Sequence, residues 1–266
     1  MRNLIILLCL LPLTSQANIN VVTSIQPLHL ITKSIMQGIG APELLIKPGT
    51  SVHDFAFKPS QMRLIKQADL IIFIDRQFEN GFQQLPDIIG EDTEALELLR
   101  GLGLKLKDGH IWYSPSLLLQ IVHQIQDALG RVDPKNVAGY SGNAKRLSQS
   151  IEIWGHSIRQ QLMTVKPTYL LDHDFFSHFE SDTNIKAIAV LHDLNEQPPS
   201  IRELRRIEKL LARTPVKCLL HNESTASKLA QNIGQKFGLT IYSIRSEASN
   251  FMQSLQHISS ILAKCH

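Results

Sequence analysis

Beyond its first 17 residues the chain has no apolar run that approaches the roughly 20 residues a membrane-spanning helix needs. A product free of spanning segments is therefore expected. No Lys/Arg face with interleaved aromatics is present, and the net charge is only +3. The densest basic run, Arg202 to Arg213, is mixed with Glu203 and Glu208 at helical spacing and reads as a solvated helix face. No nucleic-acid partner is expected. The chain also lacks a His-Glu-x-x-His motif or any other catalytic signature, which leaves a metal-dependent hydrolase with no general base in view. No internal sequence repeat is evident.

Cysteine is scarce, with three in all, and the first belongs to the leader. Residues 1–17 read as an export signal: Arg2 is the positive end, Leu4 to Leu13 the apolar run, and Ser15-Gln16-Ala17 a small-residue cleavage site. The mature chain is expected to begin at Asn18, in the periplasm. Cys9 lies within the apolar run without the small residue that a lipoprotein cleavage site wants, so no lipid anchor is expected. Cys218 and Cys265 are left in an oxidising compartment. A disulfide is the natural reading, and two buried thiols are the alternative.

The chain as a whole is 43% hydrophobic and 19% charged, and the roughly 250 residues after the leader suit two lobes better than one. In the first, the β-rich run Asn20 to Ile25 precedes a helix from Pro27 to Gln37, with Leu28, Ile31 and Ile35 on one face. Leu44 to Lys47 reads as a second strand, Ser60 to Gln67 as a short helix, and Asp69 to Ile74 as a strand buried on both faces of a parallel sheet. Residues 76 to 109 carry little signal. Ser114-Pro115 caps and starts a helix that runs through Leu129, and Lys135 to Met163 reads as one long helix weakened by Gly139, Gly142 and Gly155. The alternation then resumes. Strands are expected at Thr168 to His173, Lys186 to Leu191, Val216 to Leu220 and Thr240 to Ile244. Helices are expected from the Ser200-Ile201-Arg202-Glu203 capping box to Ala212, from Thr225 to Phe237, and from Phe251 to Lys264.

Three stretches place a histidine in a loop beside a strand end or a helix start: Ser51 to Ser60 around His53, Asp108 to Pro115 around His110, and Leu171 to Phe176 around His173. Imidazole is neutral near pH 7, and a loop lets it turn inward, so each is a candidate metal ligand. At these motifs the sequence resembles the zinc-capturing solute-binding proteins of bacterial zinc ABC importers, the metal-binding cluster A-I family. His53 with Lys58-Pro59-Ser60, and His110-Ile111-Trp112 with Ser114-Pro115, are the specific parts of the resemblance.

The resemblance implies an α/β fold of two lobes, each with a parallel β-sheet flanked by helices, joined by one long linking helix. It divides the chain into a signal peptide (1–17), an N-terminal metal-binding lobe (18–132), a linking helix (133–163) and a C-terminal metal-binding lobe (164–266). It also implies a Zn(II) site built from His53, His110 and His173, and a monomeric, non-enzymatic receptor that delivers zinc to a membrane permease driven by a cytoplasmic ATPase. Some members link a late strand to the last helix, which favours the Cys218–Cys265 disulfide.

Three imidazoles leave one tetrahedral position, for water or for Glu247. An acidic neighbour before the first histidine is absent, since Val52 stands there, and Arg245 falls near an expected Asp. Three histidines favour zinc over manganese, which prefers oxygen-rich sites; manganese or another divalent ion is the alternative cargo, and a zinc-dependent hydrolase the more remote one. Asp54, Asp172 and Asp174 are candidates to orient the ligand rings, with loop capping as the other reading, and Glu223 is a candidate support for the cleft. His178 is expected to face elsewhere on a helix. His192 and His221 end strands.

Overall fold

A computed structural model describes residues 19–48, 50, 55–104, 108–194, 197–222, 226–244 and 250–266. Two four-stranded, all-parallel sheets form two lobes. In the first, β1 (Val21–Thr23), β2 (Glu43–Leu44), β3 (Leu70–Phe73) and β4 (Glu94–Glu97) lie in the order β2-β1-β3-β4. In the second, β5 (Tyr169–His173), β6 (Ala189–His192), β7 (Cys218–His221) and β8 (Thr240–Ser243) repeat that order as β6-β5-β7-β8. Helices α1 (Gln26–Ile35), α2 (Pro59–Lys66), α3 (Leu98–Gly101), α4 (Pro115–Val132), α6 (Ser177–Thr183), α7 (Ile201–Leu211), α8 (Lys228–Phe237) and α9 (Phe251–Leu262) flank the sheets. Two parallel sheets flanked by helices are the expected α/β architecture.

The long helix α5 (Val137–Val165, 29 residues) follows a tight helical turn at Pro134–Asn136 and carries through all three of its glycines. It is bonded at one end to the first lobe and at the other to the second. Asn143 Nδ2 donates to the carbonyls of Ile35 and Gln37 (2.8 and 2.9 Å), so it closes the end of α1. Trp154 Nε1 and Gln161 Nε2 reach Ser259 on α9 (2.9 and 2.8 Å). Gly155 has a local reason: a Cβ there would come to 3.0 Å from the Cβ of Pro115, where α4 crosses α5.

One hydrophobic core runs through both lobes, from Val22, Ile72 and Phe73 through Tyr140 and Trp154 to Leu171, Phe176, Leu220 and Leu262. A smaller cluster lies on the other face of the second sheet, where Leu170 and Leu219 pack on Ile207, Leu211 and Ile233. Strand alternation assigns neighbours such as Leu170 and Leu171 to opposite faces. A disulfide joins Cys218, at the start of β7, to Cys265 just past α9.

Element bounds differ from the sequence expectation mostly by one to three residues, as helix and strand ends do. The strand read at Leu44 to Lys47 is shorter and earlier, at Glu43–Leu44. A strand absent from the sequence reading, β4, completes the first sheet by pairing with β3 (Leu70 with Glu94 through Phe73 with Glu97). No helix among the described residues is long and apolar enough to cross a membrane.

Candidate metal centre between the lobes

His110 and His173 come from different lobes and meet. Their ring centroids are 5.2 Å apart with planes at 70°, and the two residues are only 4% and 6% exposed. Two imidazoles that share a tetrahedral zinc at about 2.0–2.1 Å per nitrogen have ring centres roughly 5 Å apart, so the observed spacing suits a shared ion.

The His110 ring is fixed by its own loop. Asp108 Oδ1 accepts the Nδ1–H of His110 at 2.6 Å and its backbone N–H at 2.9 Å. Because a carboxylate only accepts, Nδ1 holds the proton and Nε2 keeps the lone pair a metal needs. Burial pushes the Asp108 carboxyl up, but the hydrogen bonds and charge of His110 and the bond from Ser177 outweigh it and hold it at about 2. Asp108 is thus a carboxylate at any pH where imidazole binds metal. Gly109 between them is required by space: a Cβ would lie 2.3 Å from the Phe78 ring. Phe78 and Trp112 each stand 5.1 Å from the His110 ring, and Phe175 packs on both histidines at 6.1 Å. These aromatic rings cover the two imidazoles and leave them almost fully buried.

His173 is the last residue of β5, at the carboxyl end of the sheet, where open α/β sheets place their ligands. Asp174, the next residue, is half-buried, and its carboxyl is raised by burial and by the charge of Asp108, against a lowering by His110. Asp172 is bonded to Ser227 and His192: its carboxylate takes Ser227 N–H and Oγ–H (2.7 and 2.6 Å) at the start of α8 and the Nδ1–H of His192 (3.1 Å), which is the loop-capping reading. His221 is buried at the end of β7.

His53 and Asp54 lie outside the described residues, as do Glu223, Arg245 and Glu247. The chain that follows residues 51–54 is well anchored in the first lobe. Phe55 and Phe57 stack edge-on at 5.5 Å, and Phe57 continues to Phe82 (5.1 Å) and Phe73 (4.8 Å from Phe82).

Two participants were missed from sequence. One is Asp108, whose signal is the Asp-x-His spacing, at which a carboxylate can reach both the ring and the backbone N–H of the histidine that follows. His178 does not face elsewhere: its Nε2–H donates to the Asp108 carbonyl at 2.9 Å. No short-range pattern signals that contact, which spans 70 residues.

Two parallel βα lobes bound to one spanning helix, with one buried imidazole from each lobe meeting edge to face, are the architecture of a two-lobed solute-binding protein of the helix-linked class. The family model described as zinc-uptake complex component A, periplasmic, matches residues 21–265, and the chain belongs to that family. It is a family of transport receptors rather than enzymes.

The high-affinity zinc uptake system protein ZnuA of Brucella abortus (strain 2308) is 23% identical over 264 residues, covering 80% of this chain and 79% of its own. The protein of the same name from Haemophilus ducreyi (strain 35000HP / ATCC 700724) is 22% identical over 305 residues, covering 99% and 98%. Among solved structures, a crystal structure of ZnuA superposes with TM-score 0.83 at 18% identity, covering 93% of this chain and 98% of that one. The laminin-binding protein of Streptococcus agalactiae, whose structure is described as that of a bifunctional protein with adhesin and metal transporting activity, superposes with TM-score 0.84 at 22% identity, covering 93% and 99%. At these identities the superpositions establish the fold alone.

Proposed function

We propose that the chain, exported and cleaved to begin at Asn18, captures Zn(II) between its lobes through His53, His110 and His173 and delivers it as a monomer to the permease of an ABC importer. The N-terminal lobe (18–132) supplies His53 and His110, the C-terminal lobe (164–266) supplies His173, and the linking helix (133–163) sets the lobes' separation. The fourth position falls to water or Glu247. The observation that carries this reading is the pair of buried imidazoles from opposite lobes, one of them held by Asp108 in the tautomer that presents Nε2. Zinc-uptake relatives support the choice of cargo, and the imidazole-rich donor set favours zinc over manganese.

The test is a competitive Zn/Mn/Cu titration of the chain from Asn18, alongside a His53→Ala, His110→Ala, His173→Ala triple variant. One tight zinc equivalent is expected, weakened in the variant by more than about a hundredfold, since ligand loss exceeds the cost of losing an outer-shell partner. Affinity should fall as the pH is lowered, because a protonated imidazole has no lone pair to give a metal. A preference for manganese, or zinc retained by the variant, would refute the assignment.

A further inference from the structure

Helix α6 begins four residues after His173 and reaches across to grip the loop that carries His110. Two carboxylates make the grip, one from each lobe. Asp108, beside His110, accepts the hydroxyl of Ser177 at the first residue of α6 (2.5 Å), while its carbonyl accepts from His178. From the other side Asp182, near the end of α6, accepts Ser114 Oγ–H (2.6 Å), Ser116 Oγ–H (2.9 Å) and Ser116 N–H (2.8 Å) at the start of α4. Ser114 Oγ in turn accepts Leu117 N–H (3.0 Å), so one serine caps α4 and ties it to α6. A carboxylate at a helix N-terminus gains from the helix dipole, and hydrogen bonds to an ionised group are about twice as strong as neutral ones.

The short stretch from His173 to Asp182 therefore binds the His110 loop on both sides of its histidine. We infer that Ser177 and Asp182 are positioning residues that set the His110–His173 spacing before metal arrives, making these two histidines a preformed half-site. The inference rests on the zinc-receptor reading above and deepens it. A seat built in advance spares the ion the ordering cost of two ligands, and that saving appears as slower release. Neither residue contacts the metal. The clamp differs from α5 in its target, since α5 fixes the lobes through their outer helices whereas α6 holds the ligand loop itself.

The experiment compares Ser177→Ala, Asp182→Ala, Ser177→Thr and Arg131→Gln in the full mature chain. The last removes a surface ion pair with Glu94, remote from the site, and controls for general loss of stability. Zinc affinity is measured by chelator competition, zinc release by stopped flow, and coordination geometry by the visible bands of bound Co(II). Ser177→Ala and Asp182→Ala should each weaken zinc about tenfold, mainly by faster release, and shift the Co(II) bands. Ser177→Thr keeps the hydroxyl and should behave as wild type, as should Arg131→Gln. Wild-type affinity, release and Co(II) bands in both alanine variants would overturn the clamp while leaving the receptor reading intact, and so would an equal loss in Arg131→Gln. A wild-type chain that binds no zinc would overturn the reading and the clamp together.

Discussion

The two lobes share one strand order and are stabilised by different means. In the first lobe β3 is Leu-Ile-Ile-Phe, buried throughout, and its sheet packs into the large core together with α1 and α4. The second lobe's sheet divides its side chains between that core and a smaller one under α7 and α8. On α7 only Ile207 and Leu211 are buried, and Ile201 is 74% exposed. A lobe with a thinner outer layer gains less from apolar burial, and it is the lobe that carries the disulfide. The comparison teaches that a matched strand order in the two lobes does not require matched energetics.

Removal of the disulfide should have the largest effect. With a separation of 47 residues, Cys218→Ser with Cys265→Ser is expected to cost about 4 kcal/mol in the chain-entropy model. Denaturant unfolding gives the total, and native-state hydrogen exchange should quicken more in β7, β8 and α9 than in β1 and β3. Equal quickening in both lobes would remove the contrast.

The first lobe has its own weak point in Glu79. It is fully buried, and its Oε2 accepts the N–H groups of Ile74 (2.6 Å) and Asp75 (3.3 Å). Burial raises its carboxyl to about 7, against the lowering by Ser24 and the two backbone bonds. The folded protein thus holds this proton more tightly than the unfolded chain. Its contribution to stability is full below the unfolded value of 4.5 and is lost as pH rises through about 7. Glu79→Gln keeps an acceptor and removes the charge, so it should stabilise by about 3 kcal/mol at pH 8 and change little below pH 4.5. Chemical denaturation of both proteins across that range is the check, and a pH-independent difference would contradict the account.

A smaller effect belongs to the capping box of α7, where Ser200 Oγ accepts Glu203 N–H (3.3 Å) and Glu203 Oε2 accepts Ser200 N–H (2.9 Å). Ser200→Ala should cost about 1 kcal/mol, measured as a shift in denaturation midpoint at constant slope. No change would mean that α7 is held by packing alone.

What could be read from sequence was what local chemistry encodes. The apolar run at β3, the Ser114-Pro115 helix start and the Ser200 to Glu203 box each state their structure within a few residues. Strand β4 was illegible because Glu94-Ala95-Leu96-Glu97 has little strand character of its own and is extended through pairing with β3. At the site, His110 and His173 were legible as candidate ligands from their local motifs, and their convergence was implied by the family resemblance, not by any local pattern. Asp108, Ser177, His178 and Asp182 act through contacts between residues 66 to 70 apart, or, for Asp108 on His110, through a side chain reaching forward two residues. The contacts across 66 to 70 residues leave no mark in a single sequence, whereas the Asp-x-His spacing does.

The central claim is that zinc is shared by imidazoles from both lobes, and X-ray absorption at the zinc edge tests it most directly. Zinc-loaded protein should show multiple-scattering from three imidazoles at about 2.0–2.1 Å. One ring should disappear in His110→Ala, and one in His173→Ala. A zinc shell unchanged in either variant would place the metal elsewhere and contradict the account.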